Sequence, residues 1–192
     1  VPLTHENIVA RAERLRYWLG LTADDRALCI APLFYAHGLE PGFAPLVVGG
    51  SLACLPTQDG TAEILRWLTE LEPTYYSAGP TFHRLLLDRA RAEGGPPRHR
   101  LRLVQSGGAP FAERDRAALE AAFGVPVLDA YGLSESGQLA SNAWDGGRRR
   151  PGTVGLPYEG FVALLGEDGA LLPLVKGKAA AGETVARGPH VI

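Results

Sequence analysis

The run DAYGLSESG, Asp129 to Gly137, brings an aromatic ring, serine hydroxyls, glycines and a carboxylate together within a few positions. Tyr131 has the flat face to stack on a purine, the Ser134 hydroxyl can bond a phosphate oxygen, and the Glu135 carboxylate can hold a hydrated magnesium ion. A second run, SGGAP at 106–110, offers backbone that a flat ligand can approach closely, because Gly107 and Gly108 carry no Cβ. Taken singly, each run reads as readily as an ordinary polar or glycine-rich turn.

Rival chemistries leave no pattern. The fifth position of a Gly-x-Ser-x-Gly elbow begun at Gly132 is Ser136, so that match fails. Neither the Gly-x-x-x-x-Gly-Lys-Ser/Thr phosphate loop nor the Gly-x-Gly-x-x-Gly dinucleotide fingerprint occurs. The histidines, His5, His37, His83, His99 and His190, show no paired ligand spacing. Cys29 and Cys54 lie in apolar runs and read as buried, reduced thiols of a cytoplasmic protein.

The elements that must position these runs follow from periodicity. Thr4 caps a helix in which Ile8, Ala12, Leu15 and Leu19 recur on one side, with Arg11, Glu13, Arg14 and Arg16 mostly on the other. Strands are expected at 27–33, in SLACLP, in TYYSAG, in LRLVQSGG and in VPVLDAYG. Between them fall a short apolar helix over 40–50 stopped by paired glycines, a helix capped by Thr61, one with Pro80 in its first turn, and ERDRAALEAAFG. Alternation of this kind implies an α/β fold with a mostly parallel sheet and flanking crossover helices over residues 1–141. The start of a small antiparallel β subdomain is expected over 142–192, where glycine, proline and arginine give way to short strands around a Glu-Asp-Gly turn. Parallel sheets bind ligands beyond the carboxyl ends of their strands, and SGGAP and YGLSESG stand at two such ends.

Composition sets the outer limits. Of 192 residues 46% are hydrophobic and 21% charged, as in globular chains, and a net charge of −2 argues against nucleic acid or an anionic membrane as partner. No apolar run approaches the roughly 20 residues that span a bilayer, and the charged N-terminal run is no signal peptide. The lack of any methionine suggests an excised segment.

Six runs then agree in order and type: PLTHENI (2–8), APLFYAHGL (31–39), VQSGGAPF (104–111), LDAYGLSES (128–136), RPGTVGLP (150–157) and GETVARGP (182–189). Together they resemble the adenylate-forming, AMP-binding enzymes, and among them the acyl-CoA synthetases, over essentially the whole chain. The resemblance implies a two-step ligase. A small-molecule carboxylic acid attacks ATP to give an acyl-adenylate and pyrophosphate, and the thiol of coenzyme A or of a carrier protein's phosphopantetheine then takes the acyl group. By the same match Gly107, Gly108, Ala109, Pro110, Asp129, Ala130, Tyr131 and Gly132 would bind the nucleotide, with Tyr131 stacked on adenine and Asp129 near its amine. Ser134, where the family usually has threonine, would contact the α-phosphate, and Glu135 would ligate Mg2+. Tyr35, His37, Gly137 and Gln138 would border the acyl pocket. The family usually carries a histidine at the position of Tyr35, and His37 is the candidate to replace it. The small and polar residues of 136–141 point to a small or polar acid.

The resemblance further implies that a phosphate loop precedes this segment, and that a ribose-binding aspartate and a lid with a catalytic lysine follow it. The segment alone is therefore expected to be inactive. An adenylating domain of a polyketide or peptide assembly line, and a degenerate, non-catalytic binding module, are the alternatives.

Overall fold

The structure, a computed structural model, describes residues 1–55, 63–145, 147, 149–172 and 179–192. Helix α1 (His5–Leu19) opens on the expected cap: Thr4 Oγ1 accepts from the Asn7 N–H at 3.1 Å, and Asn7 Oδ1 accepts from the Thr4 N–H at 2.9 Å. Strand β1 (Arg26–Cys29) is shorter than the apolar run suggested, because the chain leaves the sheet before Pro32. The helix expected over 40–50 begins earlier, as α2 (Ala36–Phe43), and tightens at Pro45 into a 3-10 turn (Ala44–Val48) that stops at Gly49.

There follow β2 (Ser51–Cys54), α3 (Ile64–Glu70), β3 (Tyr75–Ala78), α4 (Pro80–Ala92), β4 (Leu103–Ser106) and α5 (Glu113–Phe123). The Thr61 cap expected for α3 lies outside the described residues. Strand β5 (Val127–Leu133) turns back as β6 (Gly137–Ser141), followed by β7 (Leu156–Pro157), β8 (Val162–Leu165), β9 (Leu171–Leu172) and β10 (Glu183–Ala186).

The main sheet runs β2-β1-β3-β4-β5-β6-β7, parallel through its first five strands and antiparallel through the last two. Successive residues of its central strands enter different cores. Ala27, Tyr75, Leu103 and Leu128 pack with Leu15 and Leu19 of α1, whereas Leu28, Tyr76, Val104 and Val127 pack with α3, α4 and α5. Burial on both faces explains why these strands read as continuous apolar runs. The second sheet, β10-β8-β9, is antiparallel, with the turn at Glu167–Gly169 where it was expected. Among the described residues no helix is long and apolar enough to cross a membrane.

Three local expectations are corrected. Arg11 and Arg14 do not face solvent: they are buried on α1, together with Asn7 and Trp18. Cys54 is exposed, although its strand partner Cys29 is buried; both are free thiols. The YGLSESG run is not wholly a loop, since β5 continues through Leu133 and only 134–136 make the turn into β6.

Candidate active site

The strand order reverses at β1 and β3, and the chain leaving β1, β4 and β5 gathers beyond the carboxyl ends of those strands. The β5–β6 hairpin stands there as a partition between two clefts. A cleft of about 170 Å³ is bordered by His37, Glu40, Gly107, Ser134, Gly137 and Gln138. A larger one, of about 400 Å³, is bordered by Ala109, Pro110, Phe111, Asp129 and residues 152–154. Gly108 and the run Ala130–Leu133 contribute to both. The register of the hairpin shifts between Tyr131 and Gly132, and Tyr131 is 38% exposed and borders both clefts.

Asp129 sits on β5 at the larger cleft with Arg116 Nε 4.0 Å from its carboxylate. Burial pushes its carboxyl up to about 6; Arg116 and Arg149 oppose the shift, and Glu113 and Glu120 add to it. A carboxyl raised in the folded state adds stability below its unfolded pKa and loses that contribution as pH rises through the folded value. Asp129→Asn is therefore expected to gain stability over the wild type above about pH 6, with no gain below roughly pH 4, read from denaturation midpoints across pH.

The smaller cleft has a polar floor. His37 Nε2 lies 3.4 Å from Ser77 Oγ, and burial lowers the pKa of its imidazole, favouring the neutral ring. A Cβ on Gly107 would come within 2.9 Å of His37 Cε1, so only glycine lets the ring lie against this backbone. The amides of Gln105 and Gln138 bond reciprocally at 3.0 and 3.1 Å. Glu40, 5% exposed, accepts from Arg11 Nη1 at 3.2 Å and from the Gln138 N–H at 3.3 Å. Burial raises the Glu40 pKa, and Arg11 opposes that rise.

The structure thus brings together Gly107, Gly108, Ala109, Pro110, Asp129, Ala130, Tyr131, Gly132, Ser134, Gly137, Gln138 and His37. Tyr35 stands apart: it borders neither cleft and is 59% exposed, its ring 4.5 Å from that of Phe34. The Glu135 side chain projects from the turn, exposed. Sequence reasoning missed Arg11, Glu40, Gln105 and residues 152–154. The spacing of Asn7, Arg11, Arg14 and Trp18 along one helical face was the available signal for the first of these.

A parallel α/β sheet with a glycine-lined, two-part cleft beyond its strand ends is the arrangement in which open α/β domains bind small ligands. The chain belongs to the family of AMP-binding enzymes, whose model matches residues 1–192. It is similar to a probable CoA ligase of Humulus lupulus, 34% identical over 197 residues, spanning 100% of this chain and 36% of that protein. It is likewise similar to the oxalate–CoA ligase of Arabidopsis thaliana, 33% identical over 196 residues, spanning 100% of this chain and 37% of the relative. Among solved structures it matches ATP-bound MatB from Rhodopseudomonas palustris with a TM-score of 0.80 and 28% identity, over 98% of this chain and 36% of that one. It matches the Bacillus subtilis O-succinylbenzoate coenzyme A synthetase, in complex with ATP and magnesium, with a TM-score of 0.82 and 25% identity, over 100% of this chain and 38% of that one. The chain spans a little over a third of the length of these two plant relatives.

Proposed function

We propose that the protein containing this chain is an ATP-dependent carboxylate-activating ligase. In the first step a carboxylate oxygen attacks the α-phosphorus of ATP, the bond to the leaving phosphate breaks, and an acyl-adenylate and pyrophosphate result. In the second a thiolate sulfur, of coenzyme A or of a carrier protein's phosphopantetheine, attacks the acyl carbon and AMP departs. The observation that carries this reading is the β5–β6 hairpin, which borders two clefts at once and carries Ser134 and Glu135 at its tip. The larger cleft suits adenine, with Tyr131 to stack and Asp129 to accept from an exocyclic amine. The smaller one suits the acyl group, with His37, Gly137 and Gln138 at its border. Its size and polar floor favour a small or polar acid.

The residues present fit magnesium. Glu135 offers one exposed carboxylate beside the Ser134 hydroxyl, and this ion is commonly held by one or two protein carboxylates with phosphate oxygens and water. When bound there it supplies positive charge against the phosphates. Ser134 orients the α-phosphate from the smaller cleft, and the glycines at 107 and 108 leave room for the reacting atoms. Residues 1–141 form the unit that carries most of the site, and 142–192 add a wall at 152–154 and the small sheet. The free thiols of Cys29 and Cys54 accord with a cytoplasmic setting.

The test is pyrophosphate release by the natural full-length polypeptide across a panel of carboxylic acids, with and without coenzyme A. Acid-dependent release, with a thioester formed only when coenzyme A is present, is the expected result. A protein that neither binds ATP nor releases pyrophosphate with any acid would instead be a binding module.

A further inference from the structure

A heavily engaged side chain near the site comes from outside its motifs. Arg11, in the second turn of α1, is 1% exposed, and its guanidinium spends four donor contacts on one small region. Nε donates to the His190 carbonyl at 2.9 Å, Nη1 to Glu40 Oε1 at 3.2 Å and to the Ser134 carbonyl at 3.1 Å, and Nη2 to the Glu135 carbonyl at 3.1 Å. Two of these acceptors are consecutive carbonyls of the turn that carries the phosphate and magnesium candidates. The Glu135 carbonyl also accepts from the Ile192 N–H at 3.0 Å. Gly137 has φ +66°, and a Cβ there would lie 2.9 Å from Arg11 Cδ, so the hairpin is built around this side chain. Glu40, the partner of Arg11, borders the smaller cleft and holds the Gln138 N–H. Arg14 adds a bond to the Gln138 carbonyl and stacks 3.8 Å from the centre of the Tyr158 ring.

A buried ion pair is weak evidence for stability, and its directed bonds can serve instead to fix one geometry. With both turn carbonyls drawn toward Arg11, the Ser134 side chain borders the smaller cleft and that of Glu135 stays exposed. Resting on the ligase reading above, we propose that Arg11 is a positioning residue for adenylation: it holds the Ser134–Glu135 turn in its productive form and, through Glu40, ties that turn to the wall of the smaller cleft. A lysine cannot replace it, because one ammonium has no planar fork to bridge two carbonyls and a carboxylate.

The test uses Arg11→Lys and the double variant Arg11→Met/Glu40→Gln, which removes the Arg11 charge together with that of its carboxylate partner, in the natural full-length polypeptide. Three quantities are read: the kcat of acid-dependent pyrophosphate release with its magnesium dependence, adenosine affinity, and amide hydrogen exchange over 134–137 without ligand. Both variants are expected to lose about 10²-fold in kcat, as a misplaced catalytic turn does. Half-saturation by magnesium is expected to shift upward, and exchange over the turn to quicken by roughly tenfold as its local opening becomes easier. Adenosine affinity should hold within about twofold, since Arg11 does not border the larger cleft. An active Arg11→Lys protein with wild-type magnesium dependence and turn exchange would overturn the proposal, even with a lowered melting temperature, because Arg11 would then serve folding alone. Should Arg11→Lys fail to fold, the double variant decides by the same readings. A wild-type protein with no acid-dependent pyrophosphate release would overturn the ligase reading itself, and this inference with it.

Discussion

Glu135→Ala is expected to lower acid-dependent pyrophosphate release by about 10²–10³-fold, the scale on which removal of one charge-stabilising group acts in a transition state. Its side chain is exposed at the tip of the hairpin, and among the described residues only its backbone carbonyl is engaged, by Arg11 and Ile192. Substitution of a side chain so placed changes stability by no more than about 0.5 kcal/mol. Activity and stability should therefore separate cleanly: a normal melting curve, a normal adenosine affinity, and a large loss in turnover that excess magnesium only partly restores. Near-normal turnover of the Glu135→Ala variant at limiting magnesium would remove Glu135 from the chemistry. Ser134→Ala, which deletes a neutral hydroxyl, should cost less.

The second large effect concerns folding and falls at the opposite end of the sheet. Asp25 is buried just before β1, where donors from Arg102, Thr74 and Thr22 converge on it. Arg102 gives Nε at 2.7 Å and Nη2 at 3.0 Å, Thr74 gives its hydroxyl at 2.6 Å, and Thr22 gives its backbone N–H at 2.8 Å. One carboxylate thus ties the entries to β1, β3 and β4 together. Asp25→Ala takes the charged acceptor from Arg102 and Thr74, leaving them only the Gly20 and Arg26 carbonyls at 3.3 and 3.4 Å, and should cost about 3 kcal/mol, measured by denaturant unfolding. Burial alone would raise the Asp25 pKa, but the bonds from Arg102, Thr74 and Thr22 outweigh it and hold the carboxyl below its ordinary value. A depressed carboxyl contributes stability above its unfolded pKa and loses it as pH falls through the folded one. The acid limb of the wild-type stability curve should accordingly be steeper below about pH 4 than that of Asp25→Asn.

The two aspartates illustrate how far sequence reading reaches. Asp129 stands out by its motif, and the structure sets it on β5 at the larger cleft. Asp25 stands in TADDR, a run outside every motif, and its partners Thr74 and Arg102 lie 49 and 77 positions away. Arg11 and Arg14 read as the solvent side of α1 because arginine is seldom buried without a partner, and periodicity carries no information about partners. Those partners, the Ser134 and Gln138 carbonyls, stand 123 and 124 positions further on.

By itself the sequence determined the alternation of strands and helices, the Thr4 cap and the loops at which a ligand site should be sought. These follow from local propensity and from apolar periods of two and 3.6 residues, which every segment carries within itself. Tertiary structure alone decided that DAYGLSESG is a hairpin dividing two clefts rather than a loop. It also decided that Tyr35 faces outward while His37 lies against Gly107, and that a buried arginine from the first helix grips the turn between Leu133 and Gly137. The physical reason is the same in each case. Burial of a charge, close approach of a ring to a glycine, and satisfaction of turn carbonyls depend on atoms distant in the chain, and only the folded packing brings those atoms within bonding distance.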